Sequence, residues 1–317
     1  MAGPLKLVFA TDFHGSEICF RKVFNLATRA KAEVVALGGD LCGKALVPIV
    51  RRGGGYRAVV GGAEVVATTD GELEDVKGRI RANGMYPFVC EPDELEQMSR
   101  NPELVDERFR SEMVATVERW LGIAEAKLSS DQLCVSLPGN DDDWAIDPAL
   151  EASRRVPNCD GRIVDLDVLQ VIGFGASNRT PWHSPREMDE DEIYTRLSTI
   201  ADGLDADRPW VANVHVPPFR STLDDAPLLD ERMREVRRAG NPMVAPVGST
   251  AVRRWLEERQ PLVSLHGHIH ESRSSTRIGT TLAVNPGSDY SAGVMTGAVI
   301  TVDLKKRVAR GPQFVSG

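Results

Sequence analysis

The sequence predicts an α/β fold, and two of its features indicate this class. Short apolar runs, typical of buried strands, alternate with longer stretches that have the pattern of helices. Several apolar runs end directly in glycine, proline or a polar residue, as strands do where they pass into loops. The length of 317 residues suffices for one large domain. We therefore expect a single domain over residues 1–317, with an inserted segment at about 43–128.

Composition and charge exclude several other classes. With 42% hydrophobic and 26% charged residues, the chain has no run near the roughly 18 apolar residues of a membrane helix. The net charge of −8 argues against a nucleic-acid polymer as partner. The segment Met1–Lys6 lacks the regions of a signal peptide. We expect a cytoplasmic protein with no membrane partner, and a homo-oligomer is left open. Reduced thiols are expected at Cys19, Cys42, Cys90, Cys134 and Cys159 because their spacing is unpaired.

The first two predicted strands each deliver polar side chains to the loop that follows. The strand Leu5–Ala10 leads into Asp12 and His14, and the strand Val34–Leu37 leads through two glycines to Asp40. Ligands of α/β proteins bind where parallel strands end at their carboxyl side. Taken singly, each aspartate is more readily interpreted as a helix cap or a turn former, as most aspartates at strand ends are.

The pattern changes between residue 43 and about residue 128. The segments Tyr56–Val60 and Ala63–Thr68, joined by two glycines, have the pattern of a β-hairpin. Helices are predicted over 72–82 and 93–127, the latter with a break near Asn101. Because this insertion leaves the core just after Asp40, we expect it to overhang the site as a cap that restricts the substrates.

The core resumes with the predicted strand Leu133–Leu137, which ends near Asn140. Asn140 is a third strand-end ligand candidate, whereas Asp142 and Asp143 are interpreted as part of a solvated, cap-rich loop. The remaining strands are predicted at 162–166, 169–174, 210–214, 261–265, 273–278, 280–284 and 298–302, the last three in one antiparallel sheet. The remaining helices are predicted at 16–30, 186–201 and 249–258.

The histidines concentrate at two further strand ends. His215 follows the strand Trp210–Val214, which two prolines stop, and His268 and His270 follow the strand Pro261–Leu265. A lone histidine is usually an ordinary polar surface residue, but three of the six histidines of the chain fall within five positions. Two imidazoles at i and i+2 of an extended turn can point into one cavity, and neutral imidazole is a common metal ligand.

Together these positions form a candidate set of metal ligands at the carboxyl ends of five predicted strands. Mixed carboxylate and imidazole donors favour Mn, Fe, Zn, Co or Ni, whereas oxygen ligands alone would indicate Mg or Ca. Seven ligands are too many for one catalytic ion and suffice for two ions that share an aspartate. We expect two divalent ions; Mn is the first candidate for their identity, and Mg is a further candidate. The seven candidates are Asp12, His14, Asp40, Asn140, His215, His268 and His270.

In their order along the chain, these motifs resemble the five sequence blocks of the calcineurin-like metallophosphoesterases. The segments 177–181, 215–218, 267–271 and 285–288 also resemble the Icc-related predicted phosphoesterases. The resemblance implies a four-layer α/β/β/α sandwich, in which an inserted α+β cap interrupts the domain. It also implies a dinuclear centre with Asp40 as the bridge. By the resemblance, Asp12, His14 and His270 hold one ion, and Asn140, His215 and His268 hold the other.

One position departs from the family pattern. The family's third block usually ends in a histidine that contacts the phosphate, and Asp141 stands in its place. An ionised carboxylate beside a phosphate is a poor general acid, so we expect the acid to be His183, His266 or a water molecule. The expected catalytic residues are therefore Asp40, Asn140, Asp141 and His183.

The resulting hypothesis is hydrolysis of a phosphoester by a hydroxide that bridges two ions. A diester with a good leaving group needs no strong acid, which favours a phosphodiesterase acting on a small or nucleotide substrate. The alternatives are a phosphomonoesterase, acting on a protein or a small molecule, and a metal-bound scaffold with weak catalysis.

Overall fold

A computed structural model describes residues 4–317 of the chain. The helices are α1 Glu17–Ala30, α2 Asp70–Ala82, α3 Pro92–Arg100, α4 Pro102–Lys127, α5 Asp147–Ala152, α6 Glu190–Ala201 and α7 Thr250–Arg259, with short 3-10 helices at Trp144–Ile146 and Tyr290–Ala292. The strands are β1 Leu5–Ala10, β2 Val34–Leu37, β3 Leu46–Arg52, β4 Gly55–Val60, β5 Ala63–Ala67, β6 Tyr86–Cys90, β7 Leu133–Val135, β8 Ile163–Asp165, β9 Gln170–Phe174, β10 Ser177–Asn178, β11 Glu187–Met188, β12 Trp210–Val214, β13 Asp225–Pro227, β14 Arg237–Arg238, β15 Asn241–Pro242, β16 Val244–Pro246, β17 Val263–Leu265, β18 Ser274–Ile278, β19 Thr281–Asn285, β20 Thr296–Asp303 and β21 Val308–Ser316.

Two sheets form the centre of the fold. One has the strand order β21-β20-β1-β2-β7, in which β1, β2 and β7 run parallel. The other has the order β18-β19-β17-β12-β9-β8, in which β9, β12, β17 and β19 run parallel. The strands that precede the candidate ligands are thus divided between the two sheets, with β1, β2 and β7 in the first and β12 and β17 in the second.

Alternate side chains of the central strands explain how the sheets and helices stack. Val8 and Ala10 of β1 share an apolar cluster with α1, α4 and α5, whereas Leu7 and Phe9 face the strands of the other sheet. The far side of that second sheet packs against α6 and α7, where Trp255 is fully buried. The layers are helix, sheet, sheet and helix, which confirms the predicted four-layer sandwich.

The segment 43–128 has secondary structure of its own. The predicted hairpin is present as β4 and β5, and it extends into a four-stranded sheet of order β5-β4-β3-β6. Helix α2 covers this sheet through Val76 and Ile80. Helix α4, however, buries Val117 and Trp120 in the same cluster as α1, so the end of the predicted insertion belongs to the outer helix layer of the core.

Two expectations about the core elements are wrong. Strand β20 pairs with β1 and β21, and not with β18 and β19 as one antiparallel sheet. Arg186 does not begin a surface helix, because α6 starts at Glu190. The Arg186 side chain is buried and donates hydrogen bonds to the carbonyls of Asp142 and Asp143. It therefore fixes the loop that follows β7.

Within residues 4–317, no helix combines the length and the apolar character that a membrane crossing requires. All five cysteines are buried and none forms a disulfide. The expectation about the segment Met1–Lys6 rests partly on residues 1–3, which lie outside the described part of the chain.

Candidate metal centre

The candidate ligands lie on five loops that leave the carboxyl ends of β1, β2, β7, β12 and β17. Backbone hydrogen bonds join the first two loops, from Asp12 N to Gly39 O and from His14 N to Asp40 O, both 2.9 Å long. Four of the ligand residues have left-handed backbone: the φ angle is 56° at Asp12, 42° at His14, 56° at Asp40 and 67° at His268. Left-handed backbone costs a residue with a side chain about 1–2 kcal/mol, and such strain concentrates at functional sites.

One group of ligand atoms comes from Asp12, His14, Asp40 and His270, which lie within 4.8 Å of one another. The Nε2 atoms of His14 and His270 face each other at 3.0 Å. His270 Nε2 lies 3.4 Å from Asp12 Oδ1, and His14 Nε2 lies 3.5 Å from Asp40 Oδ2. With metal–nitrogen bonds of about 2.1 Å, two nitrogens at this spacing subtend roughly a right angle at one ion, so the donors fit a metal site.

A second group comes from Asp40, His215 and His268. His215 Nε2 lies 3.4 Å from Asp40 Oδ2 and 3.0 Å from Asn140 Oδ1. His268 Nδ1 lies 2.7 Å from the same Asn140 oxygen. All seven predicted ligands therefore converge on one place, and Asp40 is the side chain common to both groups.

The charges of the cluster follow from burial and from the two aspartates. Burial lowers the pKa of His14 and of His268 to about 4, so both rings are neutral at pH 7. Burial also disfavours the protonated form of His215, but the favourable interaction with the Asp40 carboxylate is stronger and raises the pKa of His215 to about 9. At His270, the hydrogen bond with Asp12 and the charge of Asp12 are likewise stronger than the effect of burial, and they raise the pKa of His270.

Metal uptake at pH 7 is therefore expected to release a proton, because His215 must become neutral before it binds an ion. Calorimetry with Mn²⁺ in buffers of different ionisation enthalpy should give on the order of one proton released per chain. The affinity should rise between pH 6 and pH 9, as His215 loses its proton. A reaction heat that is independent of the buffer would contradict this picture.

The turn that carries His268 and His270 is fixed by residues around it. Asp12 accepts hydrogen bonds from the backbone N–H of His268 at 3.0 and 3.2 Å. The Asn285 side chain is buried and donates to Ile269 O at 2.9 Å. Gly267 packs so closely that a Cβ atom there would lie 2.2 Å from Asp12 Oδ2. No side chain fits at this position without displacing Asp12.

Replacing Gly267 by alanine is expected to weaken metal binding by on the order of 10- to 100-fold, because the new methyl group displaces Asp12. The matched control is Gly78→Ala in α2, where a Cβ atom meets nothing within 4 Å. The control should bind metal normally and gain about 0.5–1 kcal/mol of stability. Metal titration and urea unfolding of both variants test this; equal metal affinity in the two would contradict it.

Asp141 lies at the rim of the cluster and is held by four contacts. Its backbone N–H donates to Asp40 Oδ1 at 3.0 Å. Its carboxylate accepts hydrogen bonds from Asn140 Nδ2 at 3.0 Å and from Ser184 Oγ at 2.7 Å, and lies 2.7 Å from Lys44 Nζ. The Asp141 contact outweighs the effect of burial and raises the pKa of Lys44. The carboxylate is thus placed as an acceptor paired with a cation.

The expectation for Asp142 is wrong. Its side chain is 0% exposed, and its carboxylate accepts three backbone hydrogen bonds, from Leu41 (3.0 Å), Cys42 (2.7 Å) and Gly139 (2.7 Å). Burial, assisted by Asp40, raises its pKa. Asp142 therefore ties the loop after β2 to the loop after β7. Asp143 is a cap as expected and accepts a hydrogen bond from Ala145 N.

The two histidines considered as general acids occupy different environments. His266 is fully buried, and its Nδ1 atom lies 2.8 Å from Val214 O and 3.0 Å from Val216 O. Burial lowers its pKa to about 4, so the ring is neutral at pH 7, and its contacts with the two carbonyl groups argue against a role as the acid. His183 is exposed and lines a cleft that Asp141 also lines. Its role stays a prediction.

Sequence reasoning missed several residues around the cluster. Lys44 contacts Asp141, Ser288 Oγ donates to Asp12 O at 2.7 Å, and the Tyr290 ring lies 4.6 Å from the His14 ring, centroid to centroid. The Asn-Pro-Gly-Ser motif at 285–288 was a usable signal for Ser288. Lys44 and Tyr290 had no such signal.

Comparisons with known proteins add a family and a fold. No family model matches the sequence. The uncharacterized protein MJ1162 of Methanocaldococcus jannaschii is 31% identical over 166 residues, which is 52% of this chain and 67% of that protein. The chain belongs to the same family as this archaeal protein.

Among solved structures, TT1561 of Thermus thermophilus aligns with a TM-score of 0.55 at 14% identity, over 99% of this chain and 98% of that one. The calcineurin-like phosphoesterase YfkN from Bacillus subtilis aligns with a TM-score of 0.42 at 10% identity, over 99% and 90%. At 14% identity, the likeness to TT1561 bears on the fold alone, and the TM-score of the YfkN alignment is too low to support an argument. The four layers described above agree with the sandwich that the resemblance to the calcineurin-like metallophosphoesterases implies.

Proposed function

We propose that this protein is a dinuclear-metal phosphodiesterase that acts on a small or nucleotide phosphoester. The observation that carries the proposal is the convergence of seven ligand side chains from five strands, with Asp40 common to both groups. Strained backbone at four of the seven positions supports a functional reason for the arrangement.

The assignment of residues to ions follows the two groups. Asp12, His14 and His270 would hold one ion, Asn140, His215 and His268 would hold the second, and Asp40 would contribute to both sites. The mixed nitrogen and oxygen donors favour Mn, with Fe, Zn, Co, Ni or Mg as further candidates. Two bound divalent ions would supply Lewis acidity toward the phosphoryl oxygens and an acidified water as the nucleophile.

The residues of the rim give the preference for a diester. By the resemblance, Asp141 stands at the position of a histidine that contacts the phosphate, and a diester, which carries less negative charge than a monoester, would be repelled less by the carboxylate. Lys44 offsets part of this repulsion at 2.7 Å from Asp141. We assign His183, on the cleft beside Asp141, to donate a proton from its ring to the leaving alcohol.

The segment 43–101, together with the first half of α4, is proposed to act as a cap. The proposed cap begins next to the candidate metal centre, where Lys44 contacts Asp141. Phe109 and Met113 of α4 line the adjoining cleft. The free, buried cysteines are consistent with a cytoplasmic location, which is part of the proposal.

The test is turnover of bis-p-nitrophenyl phosphate and p-nitrophenyl phosphate by the full chain with added Mn²⁺. The proposal expects hydrolysis of the diester with a kcat/KM above that of the monoester. A higher value for the monoester would favour a phosphomonoesterase. Two bound ions with hydrolysis of neither ester would favour a metal-bound scaffold.

Replacing Asp141 by asparagine is expected to change kcat/KM for the diester by less than about 10-fold, because the amide keeps an acceptor for Ser184 and removes a charge that repels phosphate. Steady-state kinetics of the variant and the parent protein check this. A decrease as large as that expected for a metal ligand would show that Asp141 participates directly in the chemistry.

A further inference from the structure

A cleft of about 440 Å³ opens beside the candidate metal centre. One wall comes from α4, with Phe109 and Met113, and the other comes from the loop 180–185, with Trp182 and Ser184. The cleft is joined to the metal centre at Asp141, because the Asp141 backbone donates to Asp40 and its carboxylate accepts from Ser184. A group attached to a phosphate at the metal centre would enter this cleft.

Trp182 is the most exposed large aromatic side chain of the described residues, at 66%. The loop that carries it is nevertheless well fixed. The Glu187 carboxylate accepts hydrogen bonds from Thr180 N at 3.0 Å and from Ser184 N at 2.8 Å, and Trp182 N donates to Thr180 Oγ1 at 3.2 Å. Trp182 thus offers the cleft an exposed aromatic face on a fixed loop, on which a planar ring can stack.

The charges of the cleft do not favour a second anionic group. Lys44 is paired with Asp141, and Arg110 lies 3.5 Å from Asp143. A further carboxylate, Asp106, also lines the cleft. With its cations neutralised, the cleft offers an aromatic and apolar lining and a few polar groups, which suits a flat ring.

We propose that this cleft binds a planar aromatic ring, an aryl group or a nucleobase, on one ester arm of the substrate, and that the ring stacks on Trp182. The inference rests on the proposed function, since the metal centre has to hold the phosphate. It assigns Trp182 as a specificity residue that contacts the substrate away from the reacting bond.

Binding to the Mn-loaded full chain tests the proposal by calorimetry with phenylphosphonate, cyclohexylphosphonate and inorganic phosphate. Phenylphosphonate should bind at least about threefold more tightly than the saturated ring, because only a planar ring stacks. Trp182→Ala should weaken phenylphosphonate binding by on the order of 10-fold and leave phosphate binding unchanged, whereas Trp182→Phe should retain most of the affinity. Trp182 is exposed, so neither variant should impair folding.

A second arm compares AMP with ribose 5-phosphate as inhibitors of bis-p-nitrophenyl phosphate hydrolysis. A tighter inhibition by AMP that Trp182→Ala abolishes identifies a nucleobase as the ring; a preference confined to phenylphosphonate identifies an aryl group. Equal binding of the phenyl and cyclohexyl compounds, with phosphate bound and the diester hydrolysed, would overturn the ring site and leave the proposed function intact. A protein that neither binds phosphate nor hydrolyses the diester would overturn both.

Discussion

Replacing Asp40 by alanine is expected to lower kcat/KM for a phosphodiester by on the order of 1000-fold or more, and to reduce the metal content from two ions to at most one per chain. Asp40 Oδ2 lies 3.5 Å from His14 Nε2 and 3.4 Å from His215 Nε2, so its removal takes a donor from both groups at once. It also removes the carboxylate that accepts from Asp141 N. Steady-state kinetics and elemental analysis of the purified variant measure the two effects.

The control for this prediction is Asp165→Asn on β8. Asp165 is an exposed carboxylate paired with Arg208 and takes no part in the cluster. This variant should keep two ions and full activity. Full activity in the Asp40 variant would contradict the shared-ligand assignment.

Replacing Asp142 by alanine is expected to lower the free energy of unfolding by at least about 3 kcal/mol. Three backbone N–H groups, of Leu41, Cys42 and Gly139, would lose their acceptor in a buried place, and each unsatisfied donor costs about 1–3 kcal/mol. The effect reaches the metal centre as well, because these amides belong to the loops that carry Asp40 and Asn140. Urea unfolding followed by circular dichroism gives the free energy.

The neighbouring variant Asp143→Ala serves as the matched control. Asp143 accepts one capping hydrogen bond, from Ala145 N at 2.8 Å, so its loss should cost only about 1 kcal/mol. Equal destabilisation by the two substitutions would mean that the buried carboxylate of Asp142 does not tie the two loops together.

The ligand positions could be predicted from the sequence because each one follows an apolar run. The runs Leu5–Ala10, Val34–Leu37 and Trp210–Val214 are strands with the predicted bounds, since buried strands of parallel sheets are apolar on both faces. Once the strand ends were located, Asp12, Asp40 and His215 had to lie at carboxyl ends, where they are found.

Features that depend on residues far apart along the chain could not be predicted from the sequence. Strand β20 pairs with β1, which is nearly the whole chain away, so its apolar pattern gave no indication of which sheet it joins. Asp142 is buried because amides from the loop after β2 surround it, whereas its neighbours in sequence suggest an exposed acidic loop. Lys44 and Trp182 are ordinary residues in the sequence, and only the fold brings them to one cleft.

The seven side chains are expected to hold two divalent ions, with Asp40 contributing to both sites. The most direct measurement is the metal content of the full chain after incubation with Mn²⁺ and removal of free metal, combined with anomalous scattering from crystals. We expect two ions per chain, one beside His14 and His270 and the other beside His215 and His268. A protein that retains no ion under these conditions would contradict it.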